Sequence, residues 1–514
     1  MAKKLTPAVL VTLALLLLPA CGDKTDEATR AAGITPADAL ALVTVNLEPS
    51  IEQKRNLLSV ARRFPAASEK AKGEFDETRD ELLGDLVEAV GLDFKRDVEP
   101  WLGGEVAFAL LPPAGGHEPR PVVFVQTTDK VKATAALEKV RKSGDFEGRY
   151  RMVEGFAVIS DQSDPAGDDK VLDVIEAQAG KDDGGLASSK SFNDVVDELA
   201  GDRLVLAWTD VQAVIRLAEQ SSPLPGFDLT KAFKDASSVA VDLHAEKEAL
   251  VFEGVSRPFN SGKGGTAEIT EGLSQDSIGA FTFFDVSTVF KQVTEIVTGG
   301  GGGEGAGVAE EFRKQTGLDL QADILSWMEG EFVVVAGAVP EGGTFPDFGL
   351  VIEPTDPEKA KAAVPKIVSA LQRTGDIQLQ ERKVGDGTTA YVFPAAVTPG
   401  VQPAMALFGD RFVLANRIEY LEQLSKPASS TLGDSSSYRK VVGEGSSRTV
   451  AQMVLRIDPI REAIEKAFLG YAEGDERGDY ENEVRPNLEP LDAFGFLARH
   501  DGGFDRFEMR VTFD

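Results

Sequence analysis

The 514-residue chain is poor in the residues that most often carry chemistry, with one Cys and three His. A single Cys excludes an intrachain disulfide and a Cys-based zinc site. His117, His244 and His500 have no metal-ligand spacing and no H-E-x-x-H context, so each is expected in a turn or on the surface. The nucleophile elbow G-x-S-x-G and the P-loop G-x-x-x-x-G-K-[ST] are both missing. Cations are scarce as well: 54 Lys and Arg stand against 84 Asp and Glu, a net charge of −30. Phosphate backbones are repelled by such a surplus, which excludes sequence-independent nucleic-acid binding. It equally disfavours docking on anionic lipid through a basic patch.

Long apolar runs are also lacking, with one short exception at the N-terminus. Ala8 to Leu18 is too short for the ~20 residues of a membrane span, but it fits a signal-peptide core behind Lys3 and Lys4. It runs directly into Leu18-Pro19-Ala20-Cys21, where the only Cys of the chain stands. This resembles the bacterial lipobox, with Pro19 a looser fit than Ser or Ala. The resemblance implies cleavage before Cys21 and acylation of its thiol. The expectation is therefore a lipoprotein signal peptide over 1–20 and a polar tether over 21–35. The chain would then be lipid-anchored on the extracytoplasmic face of a membrane, with Cys21 as the attachment site.

What the chain does contain is a pattern written twice. Gly91, Leu92, Asp93, Asp97, Trp101, Gly104 and Glu105 recur 226 positions later as Gly317, Leu318, Asp319, Asp323, Trp327, Gly330 and Glu331. Asp129, Ala133, Ala136, Leu137 and Val140 match Asp356, Ala360, Ala363, Val364 and Ile367 at an offset of 227. Ala37 to Leu40 match Gln275 to Ile278 at 238, and Leu186, Phe192, Val195 and Val196 match Leu432, Tyr438, Val441 and Val442 at 246. Constant offsets within blocks and changes between them are what a duplicated fold with loop insertions produces. The boundaries expected are a first copy over 36–256, a Gly/Ser/Pro linker over 257–273 and a second copy over 274–514.

Strand-like runs are expected at 40–47, 104–112 and 121–127, and again at 278–286, 331–339 and 348–353. A helix follows the third run in each copy, capped by Asp129 or by Asp356-Pro357. Hairpins near 236–255 and 493–513 close the two copies. Short connections favour antiparallel pairing, so the fold class expected is α+β: a tandem duplication in which each copy is a mainly antiparallel sheet with packed helices.

Few segments invite a chemical reading. Gly300 to Gly305 satisfies G-x-G-x-x-G, but a dinucleotide fingerprint needs an entering strand, and Val289 to Val297 has helical spacing. Gly299 to Gly303 is expected as a loop between helices. Acidic groups around Asp164, Asp168 and Asp169, at Asp182 and Asp183, and from Glu473 to Glu483 lack EF-hand spacing and are expected in solvated loops. Trp101 and Trp327, with Gly104, Glu105, Gly330 and Glu331, are expected as core anchors of the repeat, because a buried Trp covers ~150–250 Å². No cofactor, metal or catalytic residue is expected.

The lipobox, the W-x-G-G-E step with its W-x-E-G-E echo, and the Ala-Asp-Ala-Leu-Ala strand opening together resemble a bacterial envelope lipoprotein family catalogued only as a domain of unknown function. That resemblance implies a repeated α+β unit and brings no assigned activity. The function expected is a non-catalytic lipoprotein that binds a lipid, another apolar ligand or an envelope protein partner. The alternatives are a carboxylate-dependent extracytoplasmic hydrolase and an envelope assembly scaffold.

Overall fold

The computed structural model describes residues 30–68, 80, 83–84, 87–88, 91–113, 118–143, 148–160, 165–179, 181, 185–199, 201–221, 237–258, 263–288, 290, 304–343, 345–375, 377–394, 400–443, 448–468 and 475–514. The chain divides into two compact units, one formed by 1–223 with 235–257 and the other by 224–234 with 258–514. The fold is α+β, and all the named strand pairs within each unit are antiparallel. Among the described residues, no helix is long and apolar enough to cross a membrane.

The first unit runs α1 (Arg30–Ile34), β1 (Ala41–Asn46), α2 (Ile51–Ala61), β2 (Leu102–Leu111), β3 (Arg120–Thr127), α3 (Lys130–Ser143), β4 (Arg149–Val153) and β5 (Phe156–Ser160). It continues with α4 (Pro165–Ala179), α5 (Lys190–Val196), β6 (Val205–Asp210), α6 (Val211–Ser221), β7 (Ser238–Glu246) and β8 (Ala249–Ser256). Its sheet order is β4-β5-β3-β2-β1-β6-β7-β8. Strand β2 shows why one face forms a core: Ala107, Ala109 and Leu111 are buried, while the alternating Val106, Phe108 and Leu110 are half-buried. Helix α3 lays Ala133 and Ala136 on a cluster with Val45, Leu92, Phe94 and Trp101.

The second unit runs α7 (Glu268–Glu271), β9 (Gly279–Phe284), α8 (Glu304–Thr316), β10 (Glu331–Ala336), β11 (Phe348–Ile352), α9 (Pro357–Thr374), β12 (Gln380–Val384), β13 (Thr388–Val392), β14 (Ala404–Phe408) and β15 (Arg411–Ala415). It ends with α10 (Ile418–Leu424), α11 (Ser436–Val442), β16 (Thr449–Arg456), α12 (Ile457–Phe468), β17 (Leu491–Asp501) and β18 (Phe504–Phe513). Its sheet order is β12-β13-β14-β15-β11-β10-β9-β16-β17-β18. One face of this sheet carries Ala280, Val333, Val335, Val351 and Val413 under Leu421, Leu424 and Val441. On the other face α9 packs Ala360, Ala363, Val364 and Val368 against Trp327, Ile352, Met405 and Phe412. Asp356 caps α9 by accepting from the Lys359 N–H at 3.1 Å, and Asp129 caps α3 by accepting from the Val131 and Lys132 N–H groups.

Three expectations need correction. The stretches read as tether and linker both carry short helices, α1 and α7, with Ala31, Ala32, Ile269 and Thr270 buried. Four or five residues cannot sustain a helix by propensity, so a local reading misses them. Asp168 is not a solvated loop residue: it lies in α4, fully buried, and accepts from Ser160 Oγ at 2.7 Å. His244 sits within β7 rather than in a turn, half-buried, with Nδ1 2.8 Å from Asp242 Oδ1. Leu18, Pro19, Ala20, Cys21, His117, Gly299 to Gly303, Asp164, Asp182, Asp183 and Glu473 lie outside the described residues.

Candidate functional site

The repeated motif builds a bonded corner in each unit. Gly91 and Gly317 take φ of +75° and +70°, a backbone region where a side chain is strained. Leu92 and Leu318 follow as buried residues. Asp93 and Asp319 then cap a short turn, accepting from the Arg96 and Ala322 N–H groups at 2.8 Å in both cases. Asp97 and Asp323 reach back to the Asp93 and Asp319 N–H groups at 3.0 and 2.9 Å. Lysines one helix away close the corner: Lys139 pairs with Asp97, and Lys366 pairs with Asp323 at 2.6 Å. Hydrogen bonds from Arg96 and Lys139 hold the Asp97 carboxyl well below its usual range, and Lys366 lowers Asp323.

Trp101 and Trp327 are 4% and 1% exposed. Their indole N–H groups donate to the Asp97 and Asp323 carbonyls at 2.6 and 2.9 Å, which satisfies the one polar atom that burial would otherwise strand. A Cβ on Gly330 would come within 2.4 Å of the Glu353 carbonyl oxygen, so the backbone needs Gly there. In the first unit the tight approach moves one residue, to Gly103 against Gln126, while Gly104 meets only the flexible side chain of Glu48.

Glu105 and Glu331 explain the short helices. Both are 1% exposed. Glu105 Oε1 accepts from the Ala31 N–H in the first turn of α1 at 3.2 Å. Glu331 accepts from the Ile269 N–H at 2.7 Å, the Thr270 N–H at 2.9 Å and Thr270 Oγ1 at 2.7 Å, at the start of α7. The donors that a helix start leaves unpaired thus find a carboxylate from a strand about 60 to 75 residues away. Burial pushes the Glu331 carboxyl up to about 7, against the lowering by its three donors. These residues face the interior, so the corner organises each sheet instead of meeting a ligand.

A surface suited to a ligand lies elsewhere, on the face of the second sheet that carries Phe281. Phe281, Val334 and Phe348 are 40%, 45% and 50% exposed. Register sets Phe281 opposite Val334 and Met453, and Phe283 opposite Phe332 and Ala451. Ring centroids are 5.5 Å apart for Phe281 and Phe283, and 4.5 Å for Phe283 and Phe332. On β9, β10, β11 and β16 the positions facing this way include Phe281, Phe283, Phe332, Val334, Ala336, Leu350, Ala451 and Met453, with no polar side chain among them; Phe332 and Leu350 pack against the α9 cluster, and Phe281, Val334 and Phe348 stand exposed beyond it. Contiguous exposed apolar surface of this kind marks an interaction site more often than chance solvent contact. Composition alone missed it. The available signal was strand 279–284, where Thr282 is the one polar residue and Phe281, Phe283 and Phe284 put aromatic rings on both alternating sets, whereas a one-sided antiparallel strand would carry several polar residues. Among the described residues, no group of three or more His, Cys, Asp or Glu is placed to hold a metal ion.

Residues 7–476 match the family described as "Protein of unknown function (DUF3352)". The chain belongs to this family. No curated protein sequence matches it. Two solved structures, crystal forms III and IV of TP0453, align at 10% and 9% identity with a TM-score of 0.24 each. They cover 47% and 44% of this chain, and 91% and 80% of their own.

Proposed function

We propose that this protein is a non-catalytic, lipid-anchored extracytoplasmic lipoprotein that carries or presents an apolar ligand on the aromatic face of its second unit. The observation that carries the reading is the half-exposed array around Phe281, Val334 and Phe348 in a chain of net charge −30. A chain so charged has strong reason to stay soluble, yet it leaves an uninterrupted apolar sheet face partly wet. A lipid acyl chain matches such a face by dispersion and by removal of apolar area from water. The lipobox-like Leu18-Pro19-Ala20-Cys21 adds the anchor that would hold this face near a membrane.

The two units are also proposed to be tandem copies of one module. Support comes from like strand orders, with β3-β2-β1-β6-β7-β8 in one unit and β11-β10-β9-β16-β17-β18 in the other. The bonded corners match at Asp93, Asp97 and Trp101 against Asp319, Asp323 and Trp327, each with the same hydrogen bonds. The second unit adds one hairpin, β12–β13, beyond the β14–β15 hairpin that corresponds to β4–β5.

The ligand reading is tested by extracting the purified full chain with organic solvent and identifying what co-purifies by mass spectrometry. A stoichiometric lipid that is lost on Phe281→Lys supports it. A chain that carries nothing, and is unaltered by that substitution, removes the reading.

A further inference from the structure

The first unit has a depression of about 380 Å³ at the free edge of its sheet, lined by Lys130, Arg141, Arg149 and Arg151 with Glu138 and Glu176. Four cations stand against these two carboxylates and Asp173, which pairs with Arg151, and this leaves the spot a small positive charge opposite to that of the chain. Three elements bring them together: α3 on one face of the sheet, α4 on the other, and β4 between them, which among the described residues pairs only with β5. The cations are of two kinds. Arg141 is held by Glu138 at 2.7 Å, and Arg151 by Asp173 at 2.5 Å and Glu176 at 2.7 Å. Tyr150 Oη donates to Glu138 at 2.8 Å. These bonds fix the walls. Among the described residues, Lys130 and Arg149 have no ion-pair partner, so their charges remain available to a ligand.

We propose that this depression binds an organic phosphate. Arg149 would supply the fork of donors that suits a phosphate group, and Lys130 a compact second charge. The paired Arg141 and Arg151 keep donors in fixed positions around it. The chain as a whole repels anions, so recognition here acts at contact range and is salt-sensitive. The same phosphate chemistry can come from a free metabolite or from a lipid headgroup.

The test uses the full chain carrying Cys21→Ala, so that no attached acyl group contributes. Glycerol 3-phosphate is titrated by calorimetry, and vesicles of phosphatidylglycerol are compared with phosphatidylcholine by co-sedimentation. Arg149→Gln and Lys130→Gln are the variants; Lys130 is exposed at the start of α3, so its loss threatens no core. Loss of one charge-assisted contact should weaken binding about tenfold in either variant. Glycerol phosphate binding with that loss assigns a soluble ligand. Binding confined to phosphatidylglycerol vesicles, with the same loss, assigns a headgroup. Failure to bind either probe, or equal binding by both variants and the parent, overturns the proposal. Neither outcome bears on Phe281, so this site and the apolar face stand or fall separately.

Discussion

Glu331 offers a test of how the short helix α7 is held. Its carboxyl stands at about 7 in the fold against an ordinary value of 4.5. The folded state therefore binds a proton more tightly than the unfolded chain does. The stability this adds is fully present below pH 4.5, and it is lost as pH rises through about 7. At 1.36 kcal/mol per pH unit of difference, the loss comes to about 3 kcal/mol across that window. Glu331→Gln keeps the shape and cannot ionise, but its amide nitrogen replaces one of the two oxygens that accept backbone N–H groups, a cost that is the same at every pH. Urea unfolding of parent and variant at pH 5 and pH 8 separates this group from the other 83 acids, because their repulsion is common to both chains. The stability of the variant relative to the parent should therefore rise by about 2–3 kcal/mol between pH 5 and pH 8. Equal pH dependence in the two chains would refute the reasoning, and Glu331 would then be an ordinary solvated acid.

Other outcomes follow from the same geometry. Trp101→Ala and Trp327→Ala should each cost about 3–5 kcal/mol by calorimetric unfolding, because a fully packed indole leaves a cavity and an orphaned carbonyl. Against a total of about 5–15 kcal/mol, either change should visibly weaken its own unit. Asp168→Ala should cost about 1–3 kcal/mol by urea unfolding, since Ser160 Oγ loses its buried partner. Cys21→Ser should move the chain from the membrane fraction to a soluble extracytoplasmic one, as read by cell fractionation.

Much of the architecture was legible in sequence because it rests on local periodicity. The strands at 41–46, 102–111, 120–127, 279–284, 331–336 and 348–352 fall where alternation and β-branched residues place them. Asp129 and Asp356 act as helix caps because that chemistry spans only three residues. What stayed hidden depends on distant partners. Helix α7 exists through Glu331, 62 residues from Ile269, and no local pattern announces that bond. The basic depression needs α3, β4 and α4 folded around one sheet edge. Phe281 and Phe283 could not be assigned to a wet face from sequence, since a strand with aromatic residues on both sides does not say which side a helix covers, and its one polar residue, Thr282, lies on the buried side. Helix α9 packs over β14 and Trp327, leaving the Phe281 region of the same face half-exposed.

The central claim is that the Phe281 face holds an apolar ligand, and a titration tests it most directly. A fluorescent long-chain fatty acid is added to the full chain and to the double variant Phe281→Lys/Val334→Lys. Unlabelled phospholipid then serves as competitor. Both substitutions replace half-exposed residues, so circular dichroism and the unfolding midpoint should match the parent. The account predicts saturable, competable binding by the parent and a loss of at least about tenfold in the double variant. Equal binding by the two chains, with the fold intact, would contradict it.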